Sequence, residues 1–283
     1  MIPSDDNSGG LSDNIFTLIK NYNIHPSKRL GQNFLIDSNI ASKIIKEAGD
    51  LTGRVVVEIG SGMGSLTRCL LKSSAETVYA VEYDRKCLAY LGDLKEVYSK
   101  KLEVVAEDAL KLDEHRFAQD KKILLISNLP YNISAVLLLK WLKKIYLFDS
   151  IVLMFQKEVA ERIIAKPNSK TYGIISVLAQ YLCDVRVAFH VPPTAFFPAP
   201  KIESSIIAIK PKSDAEERLK LYDKLQFICK TLFNQRRKMI RTTLKKVTNN
   251  VGDMLCSLDL DECLRPENLT VEDFVRMAKY NNI

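Results

Sequence analysis

Apolar residues along this chain fall into short strand-like runs separated by helix-length amphipathic segments. Runs at 55–60, 77–84, 102–108, 122–128 and 150–156 each end near a turn or polar residue. Segments at 38–48, 65–73, 85–98, 134–146 and 157–165 carry apolar residues at helical spacing. This alternation predicts a doubly wound α/β sheet with mainly parallel strands. Two later runs, 185–191 and 204–210, flank a proline-rich stretch at 192–200. So short a connection predicts an antiparallel pair closing one edge, which makes seven strands with the last pair antiparallel. Beyond Pro211 the pattern is helical to the end, so a boundary is expected near 211–214. The expected organisation is an extension over 1–24, disordered over its first ten residues, a catalytic α/β domain over 25–211, and a small all-α domain over 212–283.

Composition changes this picture little. An apolar fraction of 47% and a charged fraction of 27% exclude collagen, coiled coil and wholesale disorder. The most apolar stretch, 123–139, is interrupted by Ser127, Asn128, Pro130, Asn132 and Ser134, so no membrane span is expected. The first ten residues are polar and lack the apolar core of a secretory leader. Six scattered cysteines form no C-x-x-C, and the three histidines lie far apart. The reading is reduced thiols in a cytoplasm, with no disulfide framework and no metal site. No dimer stripe appears, and a monomer is expected.

Charge is more informative. The chain has 41 Lys and Arg against 34 Asp and Glu, a net of +7. Eight of the 41 lie between Lys224 and Lys246, where there is no acid, and the other 33 leave the remainder at −1. The positive surplus is local, as on a surface that meets a polyanion. The bland alternative is a solvated helix face.

Candidate chemistry gathers at the strand ends. The first long run leads into Glu58-Ile59-Gly60-Ser61-Gly62-Met63-Gly64. Glycines at alternate positions between a strand and a helix let a ligand approach the backbone closely. The dinucleotide pattern G-x-G-x-x-G is not met, because its third glycine comes one residue early and Ser65 stands in its place. That spacing disfavours NAD and suits the glycine loop of S-adenosylmethionine enzymes. The second run ends at Glu82, where a carboxylate can accept from ribose hydroxyls. The third ends at Asp108, an acceptor for an adenine amine. Either acid alone reads as a surface or capping carboxylate. Gly, Glu and Asp on successive strand tips read as a ligand site, since ligands of open α/β sheets bind there.

The fourth run ends in Asn128-Leu129-Pro130-Tyr131, which resembles the N/D-P-P-Y/F/W loop of amino-methyltransferases. The amine of adenine is a poor nucleophile because its lone pair is conjugated with the ring. Acceptors for its two hydrogens, the Asn128 side-chain oxygen and the Leu129 carbonyl, would draw the nitrogen toward tetrahedral geometry. Pro130 fixes φ and removes a competing N–H. Tyr131 offers a stacking ring, worth roughly 1–3 kcal/mol per base. Alignment then supplies most of the catalysis.

Further blocks carry a family resemblance. They are Arg29-Leu30-Gly31-Gln32-Asn33-Phe34-Leu35, the glycine loop, Asn128-Leu129-Pro130-Tyr131-Asn132-Ile133-Ser134 and Gln156-Lys157-Glu158-Val159-Ala160. Tyr172-Gly173, Val191-Pro192-Pro193, Pro200-Lys201-Ile202 and Asn234-Gln235-Arg236-Arg237-Lys238 continue the series. Over roughly 25–280 the chain resembles the KsgA/RsmA type of ribosomal RNA adenine dimethyltransferase. The resemblance implies a Rossmann-like class I S-adenosylmethionine-dependent sheet. It implies transfer of four methyl groups to two adjacent adenines in the 3′-terminal hairpin loop of small-subunit rRNA, within an immature ribosomal subunit. It implies that Asn33 and Leu35 join Gly60, Gly62, Glu82, Asp108 and Asn128 at the cofactor. It also implies that Phe196 packs against the far face of the base held by Asn128, Leu129, Pro130 and Tyr131. From the residues alone, Phe196 reads as packing. The alternatives are a large-subunit rRNA dimethyltransferase and a non-catalytic RNA-binding assembly factor.

On a helical wheel, Arg237, Lys238, Arg241 and Lys245 fall within about 100° of one another relative to Lys230. Leu225, Ile228, Leu232, Phe233, Met239, Ile240, Leu244 and Val247 fall on the other side. Arg236 and Lys246 do not fit that basic face, and Asn234-Gln235 is a candidate break. Lys230, Arg236, Arg237, Lys238, Arg241 and Lys245 are the expected RNA contacts. Phosphate contacts position without specifying sequence, so specificity falls to rRNA shape and to a base unstacked into the pocket.

Overall fold

Seven strands form one mixed sheet. In chain order they are β2 (Val55–Ile59), β3 (Thr77–Glu82), β4 (Leu102–Ala106), β5 (Ile123–Asn128), β6 (Phe148–Gln156), β7 (Cys183–Val191) and β9 (Ser204–Pro211). A two-residue β1 (Phe34–Leu35) pairs antiparallel with β8 (Phe196–Phe197) in a separate ribbon. The structure is a computed structural model that describes residues 15–27, 30–118 and 120–280. The expected disorder of residues 1–10 falls outside that range.

The strand order is β4-β3-β2-β5-β6-β9-β7, and the last pair is antiparallel. β2 pairs in parallel with both β3 and β5, so the order reverses beside it. A crevice opens at the carboxyl ends of the strands at such a switch point. β5 is buried along five of its six residues, and β6 is buried from Ile151 to Phe155. Their unbroken aliphatic runs follow from burial on both faces. The edge strand β4 is only partly buried over most of its length.

Helices α1 (Ile15–Asn21), α2 (Ser38–Lys46), α3 (Ser65–Leu71), α4 (Arg85–Val97), α5 (Tyr131–Leu142) and α6 (Lys157–Ile163) precede or connect the strands. Asp84 caps α4 by accepting the Lys86 N–H at 2.9 Å. α5 starts at Tyr131, three residues before the expected start, because Pro130 cannot extend a strand ladder and favours a helix start. α7 (Ile174–Leu182) has no counterpart among the expected elements. Six of its nine residues are buried.

Packing divides the chain into two compact units. The first contains 1–134, 147–156 and 188–208; the second contains 135–146, 157–187 and 209–283. The expected cut at 211–214 differs from this division. The second unit takes in α6 and α7 as well as α8 (Ala215–Phe233), α9 (Ile240–Thr243), α10 (Val251–Ser257) and α11 (Val271–Lys279). Inside it α7, α8 and α11 pack together around Tyr222, Leu225 and Phe274, and the Phe233 and Phe274 rings stack at 5.6 Å. The continuous helix drawn over 224–246 is corrected: α8 stops at Phe233, residues 234–239 turn, and α9 begins at Ile240. Asn234 and Gln235 sit at that break.

Among the described residues no helix is long and apolar enough to cross a membrane, and no His/Cys/Asp/Glu group could hold a metal ion.

Candidate active site

A cavity of about 250 Å³ opens in the first unit at the switch point. Its walls come from the β1 segment, the loop after β2, the tips of β3 and β4, and the start of α5. Asn33, Leu35, Gly60, Gly62, Glu82, Asp108, Asn128, Leu129, Pro130 and Tyr131 all line it.

The glycine loop is confined on both sides. Gly60 has φ +71°, and a Cβ there would sit 3.2 Å from Pro130 Cδ. Gly62 has φ +53°, and a Cβ there would meet the Phe34 ring at 3.0 Å. Any larger residue would be strained at these backbone angles and would push Pro130 or Phe34 out of place. The loop is also tied to β3, since the Gly60 N–H donates to the Val81 carbonyl at 2.8 Å.

Glu82 is held by three backbone donors. Its Oε2 accepts the Gly62 N–H at 2.7 Å, and its Oε1 accepts those of Tyr83 and Asp84 at 2.7 and 2.8 Å. Burial pushes its carboxyl upward, and these donors oppose the shift. Each carboxylate oxygen can accept two hydrogens, so these bonds fill Oε1 and leave Oε2 capacity for one more. Asp108 Oδ1 accepts the Leu110 N–H at 2.9 Å, which fixes this second acid at the neighbouring tip.

Asn128 ends β5. Its Nδ2 donates to the Asn33 carbonyl at 3.3 Å. A carbonyl partner requires the amide nitrogen on that side and turns Oδ1 the other way, as an acceptor. Tyr131 lines the cavity, with its hydroxyl 2.6 Å from Ser204 Oγ. Burial raises the phenol pKa while the Ser204 bond opposes the shift, so the ring is neutral and fixed.

Two participants stand inside the sequence blocks but are given no role there. Gln32 Nε2 donates to Asp84 Oδ2 at 3.1 Å while its Oε1 accepts the Ser27 N–H at 2.8 Å, tying the segment before β1 to the start of α4. Glu58 is 2% exposed and lines the cavity, with Oε2 accepting Thr67 Oγ1–H at 2.5 Å. Burial pushes its carboxyl up to about 8, and Glu82 adds to the rise. An acid inside the otherwise apolar Val55–Ile59 run was the available clue.

The resemblance sets Phe196 against the base, and the residues alone set it in the core. It is 3% exposed, pairs with Leu35 across the small ribbon, and packs in the core with Val191, Ala195 and Ile206. It is not among the residues lining the cavity. Its surroundings in this structure are those of a packing residue.

In the second unit, Lys230, Arg237, Lys238 and Lys245 are exposed. Arg236 departs from the expected role. Its Nε pairs with Glu267 Oε2 at 2.6 Å and its Nη2 donates to the Ser169 carbonyl at 3.2 Å, so it joins three segments of the protein. Arg241 is exposed and pairs with Glu262 at 2.7 Å, a surface bond that contributes little. Arg29, the first residue of its motif, lies outside the described residues.

Strand order, glycine loop and acids on the next two tips define a class I S-adenosylmethionine-dependent methyltransferase. Residues 24–282 match the family described as ribosomal RNA adenine dimethylase, and the chain belongs to that family. It is 42% identical over 265 residues to the ribosomal RNA small subunit methyltransferase A of Wolbachia sp. subsp. Drosophila simulans (strain wRi), covering 94% of this chain and 96% of that protein. It is 43% identical over 266 residues to the protein of that name from Bartonella henselae, covering 92% and 95%. A dimethyladenosine transferase structure from Plasmodium falciparum superposes with a TM-score of 0.75 at 27% identity, covering 85% of this chain and 94% of that one. The 23S rRNA methyltransferase ErmE shares the fold, with a TM-score of 0.67 at 20% identity over 87% and 98%.

Proposed function

We propose that this protein dimethylates the N6 amines of two adjacent adenines in the 3′-terminal hairpin loop of small-subunit rRNA, within an immature subunit. The observation that carries the reading is the amide orientation at Asn128. An oxygen is left as acceptor beside the Leu129 backbone, in the same cavity as the glycine loop and the two tip acids. The names of the relatives support the small-subunit substrate.

The residues fit S-adenosylmethionine. The backbone of Gly60 and Gly62, bare of side chains, fits close approach, the free capacity of Glu82 Oε2 fits one ribose hydroxyl, and Asp108 fits an adenine amine. Asn33 and Leu35 close the opposite wall. When bound, the cofactor supplies an electrophilic methyl on a sulfonium sulfur. Asn128 Oδ1 and the Leu129 carbonyl accept the two N6 hydrogens and free the lone pair. Tyr131 holds the base by stacking. A bound cofactor would supply its methyl to the freed lone pair and leave as the neutral thioether, and the N6 proton would pass to solvent. Alignment carries the rate. On this reading Arg237, Lys238, Lys230, Lys245 and Arg241 track phosphates, and the protein works as a cytoplasmic monomer.

The test is transfer of labelled methyl groups to immature small-subunit particles and, separately, to naked large-subunit rRNA, with the modified bases mapped. Label on the paired adenines of the small-subunit hairpin is expected. Label on large-subunit rRNA alone, or no transfer to either, would overturn the reading.

A further inference from the structure

We propose that the loop carrying Lys166 and Lys170 is a second RNA-contacting element, held beside the Arg237-Lys238 turn by the Arg236–Glu267 ion pair so that the two grip one stretch of paired rRNA together. This rests on the rRNA reading and extends it to residues that no motif singled out.

The loop between α6 and α7 is built to be presented rather than to flop. Asn168 stands at φ +67°, a left-handed turn that asparagine tolerates. Its N–H donates to the Glu267 carbonyl at 2.7 Å, and its Oδ1 accepts Asn268 Nδ2–H at 2.8 Å. Ser169 Oγ–H donates back to the Lys166 carbonyl at 2.7 Å, closing the turn. The Ser169 carbonyl then accepts Arg236 Nη2–H, and the same guanidinium pairs through Nε with Glu267. Arg236 therefore stitches the loop, the turn after α8 and the 3-10 turn Pro266–Asn268 into one surface. All of these residues belong to the second unit.

The charge on that surface is unspent. Lys166, Lys170, Arg237 and Lys238 are exposed, and none has an ion-pair partner among the described residues. Glu267, the acid at the junction, is occupied by Arg236. Lys170 follows Ser169 in the chain and Arg237 follows Arg236, so the bond between Ser169 and Arg236 fixes the two cationic pairs as neighbours. Four cations without matching acid suit a polyanion.

The chemistry also selects the form of RNA. Single-stranded RNA is gripped by aromatic rings on which bases stack. Here Tyr172 is buried, Met239 is exposed at the turn, and the exposed Phe227 ring lies back along α8, six residues before that helix ends. Cations on separate loops without a stacking ring fit the backbone of a duplex, which is recognised through phosphates and shape. The target base would be held elsewhere, by Tyr131.

The experiment uses the full chain and immature small-subunit particles, with binding measured across a salt series. Lys166→Gln with Lys170→Gln is expected to weaken binding and flatten the log–log salt slope by up to roughly 0.7–0.9 for each phosphate no longer neutralised. Lys166→Arg with Lys170→Arg keeps the charge and should keep the slope. Arg236→Met should reproduce part of the loss, and adding it to the glutamine pair should cost less than the sum, because both act through one loop. A wild-type slope in the glutamine pair, alongside a flattened slope in Arg237→Gln with Lys238→Gln, would overturn the loop proposal and leave the rRNA reading standing. Absence of methyl transfer by the wild-type chain would overturn the rRNA reading itself. Thermal midpoints of the variants separate a weakened RNA interface from a damaged fold.

Discussion

The Asn128 side chain and the Asn33 backbone, 95 positions apart, meet at 3.3 Å across the mouth of the cavity, Nδ2 donating to the carbonyl. The segment before β1 thereby sets the orientation of the Asn128 amide, which on the proposed reading joins a cofactor-side wall to a substrate-side group. Asn128→Ala is expected to remove one acceptor for the amine and to lower kcat/KM by about 10²–10³, the scale for losing one aligned polar group in a reaction centre. RNA binding should change little, since the cations proposed to meet phosphates are elsewhere. Asn128→Asp tests the pairing from the other side. A carboxylate cannot donate to the Asn33 carbonyl, so the segment should loosen and cofactor affinity should fall. Single-turnover methylation and calorimetric cofactor titration check both; near-normal transfer by the alanine variant would remove Asn128 from the chemistry.

Gly62 is pressed against Phe34 and sits at positive φ. Gly62→Ala is expected to destabilise the first unit by about 1–2 kcal/mol through the left-handed backbone alone. The 3.0 Å approach to the ring adds a displacement of Phe34 from the cavity wall. Cofactor affinity should fall more steeply than stability, because the Gly62 N–H also positions Glu82. Gly92, whose surroundings are open, serves as the control: alanine there should be neutral or mildly stabilising. Calorimetric affinity and thermal unfolding of the two variants make the comparison.

Much of the fold and site is legible in the sequence. The sheet can be read because β2, β3, β5 and β6 are aliphatic runs closed by turns, and the site because its residues stand at strand tips. What the sequence does not show depends on meetings between distant positions. The β1–β8 ribbon has two residues per strand, too few for a period. α7 is short, nine residues, and largely buried. Arg236 falls off the basic face on the wheel, but its partner Glu267, 31 positions on, is invisible there. The same holds for Phe196, whose burial beside Leu35 is a tertiary fact.

Phe196 gives a sharp contrast between packing and stacking. Phe196→Ala is expected to destabilise the first unit by roughly 3–5 kcal/mol, the range for emptying a buried aromatic site. Phe196→Leu should restore most of the stability and, where packing is the residue's role, most of the methyl transfer. A leucine variant that folds normally yet loses transfer would return Phe196 to the base-holding role. Thermal unfolding and initial rates on the same preparations decide it.

Glu58 couples the site to pH. Its carboxyl is held up to about 8 chiefly by burial, with Glu82 from β3 raising it further and Thr67 and Arg68 from α3 pulling it down. Unfolded, the same group titrates near 4.5. Between those values the folded state binds more protons than the unfolded one. The Glu58 contribution to stability is therefore fully present below about pH 4.5 and is lost as pH rises through about 8. The slope is up to about 1.4 kcal/mol per pH unit from this group. Glu58→Gln mimics the protonated form, so its advantage over wild type should be small at pH 5 and grow toward pH 8. Binding a cation in the cavity should favour the carboxylate. Affinity for the sulfonium donor should thus rise with pH in the wild type more than affinity for the neutral thioether product, and the difference should vanish in Glu58→Gln. Denaturant titrations and calorimetry at paired pH values measure both effects, and parallel profiles for wild type and Glu58→Gln would show that another group titrates.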